Sequence, residues 1–463
     1  MITSPAFFGK RYAVLGLARS GLATVDALLA SGAEVVAWDD REEARAQILP
    51  RRGRGTAHRA VEGYPPSDSA IPLHHPADGP PPPLGEDQLS LANPLEIDLA
   101  TFDAIIVTPG LPLNKHPIAA RAKAANVPVI GDIELFAQAR ASLPPHKVVG
   151  ITGTNGKSTT TALIHHIIKT AGIPATLGGN IGLPILGQEP LPAGGVYVLE
   201  LSSYQIDLTR SLDCDVAVLL NITPDHLDRY DGFAGYAASK ARLFAMQSAD
   251  HAAVIATEDD ETRTIAASVG ERLIAVASSS ITDQSRWPTL QGPHNAQNAA
   301  VAIAVARTLG ISEDLIAQAL ETYPGLSHRM ERVRERNGVL FVNDSKATNP
   351  ASSYFALASY PAIHWILGGL PKGDNLDECA PMFDHVRVAY TIGEAGPMFA
   401  RLLRAAGKPV TESETLPRAV NDAAAAARPG EVVLLSPACA SFDQFKDYEA
   451  RGEAFRAAVE ALA

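Results

Sequence analysis

The sequence predicts an α/β protein of three domains built on largely parallel sheets, and three observations carry that reading. Short apolar runs alternate with segments of helical periodicity, the pattern of strand–helix–strand units. Several of those runs end in clusters of Gly, Asn, Asp and Ser, as strands do where their C-terminal ends face a ligand crevice. A chain of 463 residues also exceeds what one hydrophobic core serves, and usual domain sizes divide it into about three parts.

Composition narrows the class. Hydrophobic residues at 46% against 19% charged describe a globular chain, not a disordered one. A formal net charge of -12 argues against a nucleic-acid partner, so an anionic ligand must be held by local donors. Cys214, Cys379 and Cys439 are too scattered for a disulfide framework or a zinc pattern, and suit a reducing cytosol. No stretch approaches the roughly 20 apolar residues of a membrane span. Arg19 and Asp26 interrupt the apolar run after Lys10 and Arg11, so folded structure is expected there rather than a signal peptide, with a cytoplasmic location and no membrane partner.

Residues 12–40 read strand (12–16), turn (17–21), helix (22–31) and strand (34–38), followed by Asp39 and Asp40. That order opens a doubly wound, Rossmann-like sheet. Gly16-Leu-Ala-Arg-Ser-Gly21 approaches a dinucleotide fingerprint, but Ala18 stands where a second glycine lets the backbone close on a pyrophosphate. A nucleotide diphosphate held through Arg19, Ser20 and the helix start is favoured over NAD or a plain turn. From about 51 to 95 a proline-dense excursion, including residues 80–83, forms neither sheet nor ordinary helix. His74 and His75 within it lack a third metal ligand. The sheet resumes at 102–107 with the turn Thr108-Pro109-Gly110, and 126–130 is a further strand before a boundary at Gly131-Asp132.

Residues 146–160 are the most informative stretch: an apolar strand runs into Gly153-Thr154-Asn155-Gly156-Lys157-Ser158 and on into a helix over 159–169. The glycines let backbone N–H groups approach phosphate oxygens, and a helix N-terminus favours negative charge. Lys157 reaches terminal phosphates and the Ser158 hydroxyl binds magnesium. Ile151 occupies the place of the usual first glycine, so this is a shortened P-loop, the alternative being an ordinary strand–turn–helix. His165 and His166 are adjacent, face different ways and read as ordinary helix residues. Residues 177–182, Leu-Gly-Gly-Asn-Ile-Gly, read as a loop too rich in glycine for packed core.

A strand at 196–199 ends in Glu200-Leu-Ser-Ser-Tyr-Gln205, which puts Glu200 at the strand-end crevice, for magnesium or as a helix N-terminal charge. Another, 216–220, leads to Asn221-Ile-Thr-Pro-Asp-His226-Leu-Asp228. There His226, flanked by Asp225 and Asp228, can hold a cation directly or through water. Tyr236, Lys240, Leu243 and Phe244 share one helix stripe, so Lys240 points inward, where a lysine is costly unless paired or neutralised, or else it snorkels. Asn295 and Asn298 open an alanine-rich helix, as caps or as readers of a purine edge, and the central domain ends near Gly325. Beyond it, polar runs at 343–349, 366–372 and 436–441 follow apolar strands, making a second doubly wound sheet suited to an anionic small molecule.

Taken in order, Thr-Gly-Thr-Asn-Gly-Lys-Ser, Gly-Gly-Asn-Ile-Gly, Glu-Leu-Ser-Ser, Asp-His-Leu-Asp, Lys240, His-Asn-x-x-Asn and His328-Arg329 resemble the Mur ligase family, ATP-dependent amide-forming enzymes of peptidoglycan synthesis. The resemblance covers nearly the whole chain apart from 51–95. It implies a Rossmann-like uridine-nucleotide domain (1–131), a central P-loop mononucleotide-binding ATPase domain (132–325) and a Rossmann-like amino-acid domain (326–463). ATP and two magnesium ions are the implied cofactors, with Gly153, Thr154, Asn155, Gly156, Lys157, Ser158 and Thr159 around the phosphates. Ser158, Glu200, His226 and a carbamylated Lys240 fall at the metals; Asn295, Asn298, Arg329 and Asp344 fall around the nucleotide.

The uridine nucleotide is implied at Arg19, Ser20, Asp39, Asp40 and Arg41, and Thr108, Pro109, Gly110, Asn180, Ser202, Gln205 and His328 are implied as further substrate-binding residues. The incoming amino acid is implied at Lys346, Thr348, Lys372, Ser441, Phe442 and Tyr448, the last replacing a usual phenylalanine. The runs at 343–349 and 435–445 imply UDP-N-acetylmuramoyl-L-alanine as acceptor and D-glutamate as amine, with Lys157, Glu200, His226, Lys240 and Lys346 catalytic. The acceptor carboxylate would be activated as an acyl phosphate and the amine would displace phosphate, with no covalent protein nucleophile. A monomer is implied, its third domain closing on the second to exclude water. Alternatives are a ligase for another amino acid, a nucleotide-regulated protein that hydrolyses ATP without ligation, and a dehydrogenase, which Ala18 argues against.

Overall fold

The computed structural model describes residues 1–48, 88–225 and 229–462; most of the proline-dense stretch and His226 lie outside them. Among the described residues the chain forms two compact units, residues 1–157 with 171–276 and residues 158–170 with 277–463.

The first unit holds two parallel sheets. One contains β1 (Arg11–Leu15), β2 (Glu34–Trp38), β3 (Leu89–Leu91), β4 (Ala104–Val107) and β5 (Val129–Ile130) in the order β3-β2-β1-β4-β5. Its order reverses between β1 and β4, the switch point at which open α/β sheets bind ligands. The other contains β6 (His146–Thr152), β7 (Ala175–Gly179), β8 (Gly195–Glu200), β9 (Val216–Leu219), β10 (Ala252–Ala256) and β11 (Leu273–Val276), ordered β11-β10-β9-β6-β8-β7. β6 is central and covered on both faces, so Val148 to Thr152 are all buried; a strand in that place reads as a continuous apolar run. One apolar cluster, from Ile2 and Phe7 through Phe136 and Tyr197 to Ile265, runs beneath both sheets.

The second unit holds the helices Pro293–Thr308 and Glu313–Thr322 and a third sheet. Its strands are β12 (Glu331–Arg336), β13 (Val339–Asn343), β14 (Ile363–Gly368), β15 (Val386–Ile392), β16 (Val410–Glu414) and β17 (Val432–Leu435), ordered β12-β13-β17-β14-β15-β16 with only β12 antiparallel. Apolar clusters fill both faces, one around Trp365 and Phe399, the other around Tyr390 and Phe455. No described helix is long and apolar enough to cross a membrane.

Two local expectations are corrected. The first helix is Arg19–Ala30, not 22–31: Ala18 is extended and caps it, so Gly21 lies in the helix's first turn. Residues 175–179 are strand β7 and not loop, with Leu177 paired to Val198 and Gly178 to Leu199. Gly178 is there because Ile185 and Leu199 crowd it: a Cβ would stand 3.0 Å from each.

At Gly179, φ is +85° and a Cβ would lie 2.1 Å from the Glu200 carbonyl oxygen. Gly179→Ala should therefore push the ends of β7 and β8 apart, lowering unfolding stability in urea by roughly 1–3 kcal/mol and displacing Asn180. An unchanged midpoint would contradict this reading of the strand end.

Candidate active site

β6 ends between β8 and β9, so the runs that follow all three strands meet at one edge of the second sheet. Ile151 pairs with Glu200 and Thr152 with Leu219. The loop after β6 turns through Gly153 (φ +152°) and Gly156 (φ +82°), conformations that glycine adopts without strain. Asn221, at the end of β9, locks it. Its carbonyl accepts from Thr154 N (2.8 Å), its Oδ1 from Asn155 N (2.8 Å), and its Nδ2 donates to the Asn155 carbonyl (3.2 Å). The helix Lys157–Thr170 follows, two residues earlier than the expected 159. Lys157 folds back over the loop, its Nζ donating to the carbonyls of Gly153 (2.8 Å) and Thr154 (2.7 Å).

Lys240 points inward as its stripe predicts. In the helix Gly232–Ala245 it is 1% exposed, its Nζ donates to the same Gly153 carbonyl (2.8 Å), and it lies 4.5 Å from the centre of the Tyr236 ring. The Tyr236 hydroxyl in turn meets Thr154 Oγ1 at 3.2 Å. Burial, and then the nearby Lys157 charge, pull the Lys240 amine down to about 7, so much of it is neutral at physiological pH. Glu200 is buried. Its Oε1 accepts from Asn180 Nδ2 (3.0 Å), while its Oε2 is shielded from solvent with no donor among the described residues. An orphaned buried carboxylate oxygen beside a phosphate-type loop suits a divalent cation. The helix after it starts at Ser203, capped by Ser202 with Gln205 at its third position, so these two engage each other in a capping box and Glu200 itself belongs to β8.

In the second unit, Asn298 accepts from Thr160 Oγ1 (3.1 Å) and donates to Asn295 Oδ1 (3.1 Å), and Asn295 Nδ2 reaches the Gln291 carbonyl (3.0 Å). Tyr323 donates to the Thr159 carbonyl (3.4 Å). Arg329 Nε is buried with no acceptor among the described residues. Asp344 is occupied: Oδ1 accepts from Met330 N (3.2 Å) and Oδ2 from Ser436 Oγ (2.9 Å). Burial raises its carboxyl to about 7.

The three polar runs of the third sheet do come together, because β13, β17 and β14 are neighbours. Lys372 Nζ donates to Thr348 Oγ1 (3.3 Å), Lys346 lies 5.5 Å from the centre of the Tyr448 ring, and His328 stands edge-on to that ring. Ser441 is buried and Phe442 is exposed.

At the first sheet Asp39 has a structural task. Its carboxylate accepts from Leu17 N (2.8 Å) and, on its other oxygen, from Arg41 N (3.0 Å). Asp40 accepts from Trp38 Nε1, while Arg19 and Arg41 are exposed. The Thr108-Pro109-Gly110 turn is held by Arg229, which donates to the Gly110 carbonyl (3.1 Å) and stacks on Tyr204. Sequence reasoning assigned no role to Asn221, Tyr236 or Arg229; for Asn221 the signal was present, since it opens the polar run after β9.

Two family models match the chain, the Mur ligase middle domain over residues 151–289 and the Mur ligase glutamate ligase domain over 328–439. A protein of Novosphingobium aromaticivorans named UDP-N-acetylmuramoylalanine–D-glutamate ligase is 63% identical over 100% of this chain and 97% of its own. The chain belongs to the Mur ligase family. A Sphingopyxis alaskensis Mur ligase of the same name is 60% identical over the whole of both chains. The crystal structure of UDP-N-acetylmuramate-alanine ligase MurC from Thermotoga maritima, at 18% identity, shares the fold with a TM-score of 0.56 over 98% of this chain and 100% of that one.

The depressed Lys240 pKa makes the stability of this Mur ligase depend on pH. The folded protein releases that proton near pH 7 and the unfolded chain near 10.5, so between them the unfolded state binds more protons and stability rises with pH. In carbon dioxide-depleted buffer the wild type should therefore gain on Lys240→Met in urea unfolding as pH rises from about 7 to about 9. Parallel pH profiles would show that Lys240 is not held as a costly cation.

Proposed function

We propose that this Mur ligase uses ATP to join D-glutamate to UDP-N-acetylmuramoyl-L-alanine, releasing ADP and phosphate, in cytoplasmic peptidoglycan precursor synthesis and as a monomer. Full-length identity of 60–63% to two ligases of that name carries the proposal; the locked loop, Lys240 and the orphaned Glu200 oxygen support its chemistry. The three working parts are residues 1–131 for the uridine nucleotide, 132–325 for ATP and 326–463 for the amino acid.

In this reading the loop amides and Lys157 hold the ATP phosphates, and Lys157 exchanges its carbonyl contacts for phosphate oxygens. An alanyl carboxylate oxygen attacks the terminal phosphorus and ADP leaves. The glutamate nitrogen then attacks the acyl carbon, loses a proton, and phosphate departs with the carboxylate oxygen. Two anions must meet in the first step, so positioning and charge neutralisation supply most of the acceleration. Magnesium, when bound, adds positive charge there; Ser158, Glu200, His226 and Lys240 would hold it. Asn295, Asn298, Arg329 and Asp344 serve the nucleotide. Arg19, Ser20, Asp39, Asp40, Arg41, the turn at 108–110, Asn180, Ser202, Gln205 and His328 serve the acceptor. Lys346, Thr348, Lys372, Ser441, Phe442 and Tyr448 serve D-glutamate.

A largely neutral, buried amine is what addition to carbon dioxide requires. Lys240 Nζ forms the new bond to carbon and releases a proton, and the resulting carbamate turns a costly cation into a metal-binding anion.

Phosphate release should require ATP, UDP-N-acetylmuramoyl-L-alanine and D-glutamate together. Release that ignores either acceptor or amine would defeat the proposal. Lys157→Ala should lower turnover at least about 100-fold, and retained turnover would remove the lysine's assigned role. With ¹³C-labelled bicarbonate, a carbamate carbon resonance is expected in the wild type and not in Lys240→Arg; its absence from the wild type would rule the modification out.

A further inference from the structure

The amino-acid end of the third sheet is organised around a side chain on its underside. Arg451, in the first turn of the helix Tyr448–Glu460, is 1% exposed. All five N–H donors of its guanidinium are used. Nε donates to Ser345 Oγ (3.0 Å), Nη1 to the carbonyls of Cys439 and Ala440 (3.1 Å each), and Nη2 to the carbonyls of Ser345 (2.9 Å) and Cys439 (3.1 Å). Ser345 belongs to the run after β13 that carries Lys346 and Thr348. Cys439 and Ala440 belong to the run after β17 that carries Ser441 and Phe442. The run after β14 closes on the same group: Leu370 bridges to Ala440, and a Cβ on Gly369 would stand 3.1 Å from Arg451 Nη1.

A cation buried among carbonyl oxygens and one hydroxyl, with no carboxylate among the described residues accepting from it, is a costly way to fill space; an apolar side chain of similar volume would do so more cheaply. Its use here needs a reason. The turn it holds is strained, with Ala438 at φ +56°, and the next two carbonyls are the ones Arg451 binds. Burial lowers the Arg451 pKa only to about 10, so the charge persists at neutral pH.

We propose that Arg451 is a positioning residue for the incoming acidic amino acid. It fixes from behind the spacing of the two runs that present Lys346 and Thr348 on one side and Ser441 and Phe442 on the other. Its charge, held by four carbonyl contacts and the Ser345 hydroxyl with Asp443 nearby, adds positive potential behind them, which favours an anion in front. The inference rests on reading this sheet edge as the D-glutamate site.

The test is steady-state kinetics of wild type, Arg451→Met and Arg451→Lys, varying D-glutamate, ATP and the uridine nucleotide in turn. Arg451→Met should raise KM for D-glutamate about 30-fold while the other two KM values move by about twofold or less, and Arg451→Lys, with three donors, should recover part of the loss. If Arg451→Met does not fold, Ser345→Ala, which removes one acceptor, should raise the same KM by about threefold to fivefold. A D-glutamate KM within about twofold of wild type in Arg451→Lys and Ser345→Ala, or an equal rise for all three substrates, would overturn the proposal even if thermal stability falls. A wild type that does not use D-glutamate at all would instead defeat the ligase reading, so the two failures are distinguishable.

Discussion

The shared carbonyl of Gly153 is the constraint on which the nucleotide end of the molecule depends. Two lysine amines donate to it, Lys157 from the loop's own helix and Lys240 from the helix Gly232–Ala245. Two ammonium groups on one oxygen repel, and the more buried of them gives up its proton most readily. Burial first, and this repulsion second, bring the Lys240 amine down to about 7. The rest of the local structure serves this arrangement. Asn221 fixes the loop so that its carbonyl faces inward, Tyr236 steadies both Thr154 and the Lys240 amine, and Asn180 turns one Glu200 oxygen aside so that the other stays unpaired.

The second and third sheets solve one problem with different means. In each, neighbouring parallel strands bring separate polar runs to a common edge, the geometry that makes strand ends good ligand sites. At β6 the fixing group is a neutral asparagine, Asn221, which adds no charge to the loop it holds. Beneath β13, β17 and β14 the fixing group is a cation, Arg451.

Much of this was legible in the sequence because chemistry and local structure coincide at strand ends. The loop from Gly153 to Ser158, Glu200 at the end of its strand, the inward Lys240 and the three converging runs of the third sheet all follow from period and punctuation. What escaped did so for physical reasons. Leu177-Gly-Gly looks like loop because glycine usually marks one; here it lies in β7, since Ile185 and Leu199 leave no room for a side chain at Gly178. Gly21 read as turn, yet the extended Ala18 starts the helix before it. β11 and β16 are short and partly exposed edge strands with weak alternation. Arg451 gave no signal at all, because a single arginine among charged helix residues reads as solvated until its partners, distant in sequence, are known.

The central claim is that the Gly153–Ser158 edge passes the terminal phosphoryl of ATP to a carboxylate rather than to water. The most direct measurement uses UDP-N-acetylmuramoyl-L-alanine carrying oxygen-18 in both oxygens of its alanyl carboxylate, with D-glutamate and unlabelled ATP, and mass analysis of the phosphate released. An acyl phosphate places one labelled oxygen in each phosphate. Unlabelled phosphate, formed at the same rate as the ligated product, would contradict the account.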